Sequence, residues 1–161
     1  MFYVGDKVVY PLHGAGEIIA IEKREVLGET KYFYVIKMLI EQMKILIPAN
    51  TAQKIGLRKV ITEEEMNKVL QILDKGEKED MDISDWRQRY MKNLNKLKSG
   101  CIYNAAKVLR SLHLKSCDKC LSPIEKRLYE SAKNAIISEL AYVKSINLEE
   151  AKALIKEKLK V

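Results

Sequence analysis

Val4-Gly5-Asp6-Lys7-Val8-Val9-Tyr10-Pro11-Leu12-His13-Gly14-Ala15-Gly16-Glu17-Ile18 encodes a strand, a glycine-rich turn and a second strand in one uninterrupted run. Val8, Tyr10 and Ile18 offer apolar faces at strand spacing, and Pro11, which lacks an amide donor, closes the first strand. Gly14 and Gly16 permit backbone angles that larger residues resist. As local physics, the run predicts a small β unit.

The two-residue period of strands continues to Pro48. It is clearest in Thr30-Lys31-Tyr32-Phe33-Tyr34-Val35-Ile36-Lys37-Met38, rich in aromatic and β-branched residues, with Gly28 marking the turn before it. Met43-Lys44-Ile45-Leu46-Ile47 adds a short run that ends at Pro48. Three or four such strands predict a small, strongly bent antiparallel sheet or SH3-like barrel. Ile45, Leu46 and Ile47 are consecutive, so at least one points away from a one-sided core, and an apolar edge of that kind can accept a strand from another protein.

After Ile61 the period becomes that of helices, and the boundaries are written in capping residues. Thr62-Glu63-Glu64-Glu65 has the spacing of a capping box ahead of Met66, Val69, Leu70 and Leu73. Gly76 and the acidic stretch Glu77 to Asp82 read as a solvated connection, after which Ser84 or Asp85 can cap a helix running to about Lys98. Ser99-Gly100 stops it. A third helix is predicted from Cys101 to Leu114, with Ile102, Ala105, Ala106, Leu109 and Leu112 inward. A fourth starts at the capping box Ser122-Pro123-Ile124-Glu125 and carries an apolar stripe from Ile124 through Leu128, Ala132 and Ile136 to Val143. Asn147 caps a final helix to the C-terminus. The fold class is α+β: residues 1–60 as a β domain and residues 61–161 as a compact all-α domain of about five helices.

The 161 residues are 47% hydrophobic, enough for a core in each part. No stretch approaches the roughly 18 to 20 apolar residues that cross a bilayer, and the first residues lack a secretion signal. The expectation is a cytoplasmic monomer with no membrane partner. Three cysteines in such a chain are expected to stay reduced.

The net charge of +7 is unevenly divided. Residues 1–60 hold nine basic and six acidic side chains, 61–85 three and nine, 86–133 twelve and three, and 134–161 five and four. The basic block begins at the only tryptophan, and a dense positive surface suits a polyanion, because neutralising phosphates releases condensed counterions. In Ser84-Asp85-Trp86-Arg87-Gln88-Arg89-Tyr90-Met91-Lys92-Asn93-Leu94, helical spacing puts Trp86, Tyr90, Leu94 and Leu97 near one stripe and Arg89, Lys92 and Lys96 on another. Trp86 either anchors the helix in the core or sits exposed in the first turn, where an aromatic ring can wedge against an unstacked base.

Cys117-Asp118-Lys119-Cys120, with His113 four residues upstream and Cys101 elsewhere, supplies ligand types for zinc or a thiol pair. Structural zinc sites usually come as two paired knuckles and only one pair is present, so free thiols are expected and no metal or cofactor is assigned. His13 sits in a glycine turn, the acids from Asp80 to Asp85 read as a linker, and no phosphate-cradling glycine loop is followed by a lysine. The chain is not expected to be an enzyme.

The opening string and the Trp-x-x-Arg-Tyr segment at Trp86 resemble the CarD/CdnL family of bacterial transcription regulators, whose N-terminal domain is shared with transcription-repair coupling factor. The similarity extends over nearly the whole chain. It implies a Tudor-like β domain that binds the β subunit of RNA polymerase through residues around Arg24 and through the strand Ile45-Leu46-Ile47-Pro48-Ala49. It also implies that Trp86 acts at the upstream edge of the transcription bubble and stabilises the open complex. Arg87, Arg89 and Lys92 would contact promoter DNA beside it without sequence preference, and Lys126 and Arg127 would form a second basic contact. Leu46 stands where relatives often carry arginine, which implies backbone pairing and apolar contact there. Met91 stands where a basic residue is common, leaving Lys92 as the candidate for that phosphate contact. Two alternatives are a metal- or thiol-sensing DNA-binding protein that uses Cys117 and Cys120 without polymerase, and an architectural adaptor of polymerase.

Overall fold

The computed structural model describes residues 1–75 and 85–159. The opening run folds as β1 (Lys7–Tyr10), a turn, and the start of β2 (Gly14–Val26), paired antiparallel with Val8 opposite Gly16. β3 (Glu29–Met38) returns along β2, β4 (Lys44–Pro48) runs along β3, and β5 (Arg58–Lys59) pairs with β1. The five-stranded sheet has the order β4-β3-β2-β1-β5. β5 exceeds the three or four strands expected because two basic residues carry no readable alternation. Val8, Ile18, Tyr34, Ile36, Met38 and Ile47 pack together as the core of the sheet. A bulge between Ile18 and Ala20 bends β2, and Ile19 at the bulge is exposed.

Five helices follow among the described residues: α1 (Glu63–Lys75), α2 (Trp86–Lys98), α3 (Ile102–Asp118), α4 (Pro123–Lys144) and α5 (Leu148–Lys158). The α+β class and the helical second half expected from the sequence are both observed. The caps are the expected residues. The Glu65 amide donates to Thr62 Oγ1 at 3.2 Å, the Glu125 amide to Ser122 Oγ at 3.2 Å and the Glu150 amide to Asn147 Oδ1 at 2.8 Å. The predicted connection from Gly76 to Asp82 and the Ser84 cap lie outside the described residues.

Two details depart from expectation. α3 runs past Leu114 to Asp118, because its backbone bonds continue beyond the apolar stripe until the Lys119 amide donates to Lys115 O at 2.8 Å. Ile124 is 42% exposed rather than inward, since it occupies the first turn of α4, before Leu128, where the stripe reaches the core.

Sheet and helices meet along α4. Leu12, held at φ +72°, packs into the helical core together with Leu39, Ile40 and Ile61. The Ala15 amide donates to buried Ser138 Oγ at 2.8 Å. Gly14 has φ +93°, and a Cβ there would stand 2.8 Å from the same oxygen, so glycine meets both the backbone angle and the close approach. The β1–β2 turn thus serves as the seat of the helices as well as a turn of the sheet.

Candidate nucleic-acid interface and docking edge

Trp86 is the first residue of α2, and the Arg87 amide donates to the capping Asp85 Oδ1 at 3.0 Å. Although Trp86 shares a stripe with Tyr90, Leu94 and Leu97, only those three pack on the helical core; its own ring is 49% exposed. Of the two readings open from the sequence, core anchor and exposed ring, the side chain adopts the second. The Arg87 guanidinium lies 5.6 Å from the ring centroid, a cation–π contact at the surface. Lys92 is exposed and Arg89 half-buried on the neighbouring flank.

Folding brings this flank to α4. α2 packs on α4, and Arg89 acts electrostatically on Glu125 in the first turn of α4. Glu125 is held by Lys115 Nζ at 2.7 and 2.9 Å. Partial burial pushes its carboxyl up, but Lys115, Ser122 and Arg89 together bring it below the usual carboxylate range. One and two residues further on, Lys126 and Arg127 are both exposed. Two basic stretches far apart in sequence therefore stand near the N-terminal ends of two helices packed on each other, one of them led by the exposed Trp86. Cations near an exposed aromatic ring can hold phosphates while the ring meets a base.

Among the described residues β4 is an edge strand of the sheet, with only β3 as a neighbour. Leu46 lies opposite Val35, Val35 opposite Ala20, Phe33 opposite Pro48 and Glu22, and Arg24 opposite Lys31. By alternation, Leu46, Pro48, Phe33, Glu22 and Arg24 share the face of the sheet opposite Tyr34 and Ile47. Leu46 is 43% exposed there, whereas Ile47 is buried and Ile45 packs on the sheet core. Of the apolar run, one side chain is thus offered outward while its neighbours hold the strand in place. Arg24 is exposed and paired with Glu22 at 2.8 Å.

The thiol and histidine candidates do not converge. Cys117 and Cys120 are exposed and Cys101 is half-buried, all as free thiols, while His113 Nδ1 lies 3.0 Å from Tyr129 Oη. Among the described residues no three His, Cys, Asp or Glu side chains are grouped as a metal site requires.

Sequence reasoning missed the pair that couples the two halves. Arg58 reaches Glu139 with Nη2 at 2.8 Å and Nη1 at 3.1 Å, and its Nε donates to Gly100 O at 2.9 Å. Glu139 is fully buried; desolvation pushes its carboxyl up against the pull of Arg58 and a backbone bond from Ile61. The available signal was a carboxylate set between Ile137 and Leu140 in the apolar stretch of α4.

Residues 2–61 match the family model for the CarD-like/TRCF RID domain, and residues 68–156 match that for the CarD C-terminal domain. A Bacillus subtilis (strain 168) protein named "Putative transcription factor YdeB" is 37% identical over 153 residues, covering 95% of this chain and 99% of that protein.

Proposed function

Because the chain belongs to the CarD family of transcription factors, we propose that it docks on the β subunit of RNA polymerase and stabilises the open complex at the upstream edge of the transcription bubble. In this reading residues 1–60 face polymerase, residues 61–161 face promoter DNA, and the protein works as a cytoplasmic monomer that performs no catalytic step. The observation that carries it is the half-exposed Trp86 on a capped first turn, with Arg87 against its ring, Arg89 and Lys92 on the same helix, and α2 packed on the α4 that carries exposed Lys126 and Arg127.

The mechanism is differential binding. An indole that meets the unstacked junction better than closed duplex raises the population of the open state by that difference alone. About 1.4 kcal/mol changes the equilibrium tenfold, so one ring suffices. Docking supplies effective concentration, which lets the DNA contact stay weak and independent of sequence. The open edge of β4 and the outward Leu46 support a docking mode of strand pairing plus apolar contact, without a salt bridge at that position.

Crosslinking tests this reading. A photoreactive aromatic residue in place of Trp86 is expected to crosslink promoter DNA at the upstream bubble edge, and only when polymerase is present. Crosslinks confined to protein, or formed equally without polymerase, contradict it.

A further inference from the structure

The connection between α3 and α4 is pinned on both sides. The Lys119 amide is bonded to Lys115 O at 2.8 Å, Leu121 is buried, and Ser122 caps α4. Between these anchors Cys117, in the last turn of α3, and Cys120, just beyond it, are both exposed, and neither is used by the contacts described above. Lys119, the first residue after α3, is extended, with φ −143° and ψ 150°. With both intervening residues helical, Cα atoms three positions apart lie about 5 Å from each other, inside the roughly 4.4–6.8 Å that a disulfide spans. Bridging therefore asks one residue to leave the extended region.

We propose that Cys117 and Cys120 are a peroxide-responsive dithiol whose closure to a disulfide displaces the first turn of α4. One thiolate attacks hydrogen peroxide, its sulfur takes one oxygen as the O–O bond breaks, and water leaves. The second thiolate then attacks the sulfenic sulfur, the S–S bond forms, and the oxygen departs as a second water. The two sulfurs are oxidised by two electrons in total and peroxide is reduced to two waters; a dithiol reductant reverses the change.

Turning Lys119 into the helical region redirects the chain at Leu121 and Ser122. That movement pulls the Ser122 cap from the Glu125 amide and separates Glu125 from Lys115, the contacts that order the turn bearing Lys126 and Arg127. The consequence for DNA rests on the function proposed above.

The test treats the full chain with hydrogen peroxide and measures intact mass, accessible thiols, hydrogen exchange over residues 119–127, and affinity for forked DNA. The expected results are a mass loss of about 2 Da, reactive thiols falling from three to one, faster exchange over that segment, and DNA affinity weakened about threefold or more. Cys117→Ser/Cys120→Ser should show none of these changes while binding DNA as the reduced protein does. Stable oxygen adducts on Cys117 or Cys120 in place of the disulfide, located by peptide mass to separate them from methionine sulfoxide, or a disulfide that leaves exchange at 119–127 unchanged, overturns the proposal. If mass and exchange change as expected but neither redox form binds forked DNA in the presence of polymerase, the dithiol stands and the DNA-contact reading falls.

Discussion

Arg58 on the short edge strand and Glu139 in the C-terminal half of α4, 81 residues apart in the chain, are joined by two hydrogen bonds of 2.8 and 3.1 Å, and the Glu139 side chain is fully buried. The pair ties the sheet to the helices.

Arg58→Ala leaves a carboxylate in the interior with no cation. Removing one member of a buried pair costs about 3–5 kcal/mol near neutral pH, so a marked fall in thermal midpoint is expected. Burial already raises Glu139, and the loss of Arg58 raises it further. A raised carboxyl gains stability as pH falls through its folded-state value. The deficit of the variant should therefore shrink as pH falls from neutral toward the ordinary carboxylate range, and a deficit independent of pH would argue against an ionised Glu139.

Gly14→Ala tests the seat of the helices. The substitution combines φ +93° with a Cβ 2.8 Å from Ser138 Oγ. A loss of about 1–3 kcal/mol is expected in chemical unfolding, and a second substitution, Ser138→Ala, should recover part of it.

His113 accepts from or donates to Tyr129 Oη at 3.0 Å and bonds the Leu159 backbone, linking α3, α4 and the end of α5. Partial burial, helped by Lys133 and Arg110, pulls its pKa below the ordinary value of 6.5. The unfolded chain then takes up the proton first as pH falls, so the contribution of His113 is present above about pH 6.5 and is lost below it. Unfolding midpoints measured at descending pH should drop more steeply for the natural protein than for His113→Gln.

Leu46→Glu adds a charge at the outward position of the edge strand without disturbing Ile45 or Ile47. Its unfolding free energy should stay within about 0.5 kcal/mol of the natural protein, while co-purification with polymerase is lost. Retained co-purification moves the docking surface elsewhere.

Local signals made most of the fold legible. Capping boxes at Thr62 and Ser122, the alternation from Thr30 to Met38, and the turn at Gly14 each report on a few neighbouring residues, and each predicted its element. The α3 end was less legible, because polar residues can continue a helix without leaving an apolar stripe. Contacts across the two halves could not be read at all: Arg58 and Glu139 are ordinary charges until the fold joins them. Trp86 was ambiguous for a geometric reason. Its angle on α2 matches that of Tyr90 and Leu94, and its exposure depends on where the bundle ends beneath the first turn. The pairing of the α2 flank with Lys126 and Arg127 likewise needs the packing of α2 on α4.

The central claim is that the exposed indole of Trp86 stabilises melted promoter DNA while the sheet does the docking. The direct measurement is the lifetime of open complexes on a weak promoter with polymerase saturated by natural protein or by Trp86→Ala. Loss of the ring should shorten the lifetime about tenfold, for a contact of about 1.4 kcal/mol, with polymerase affinity unchanged. An unaltered lifetime at equal occupancy would contradict the account.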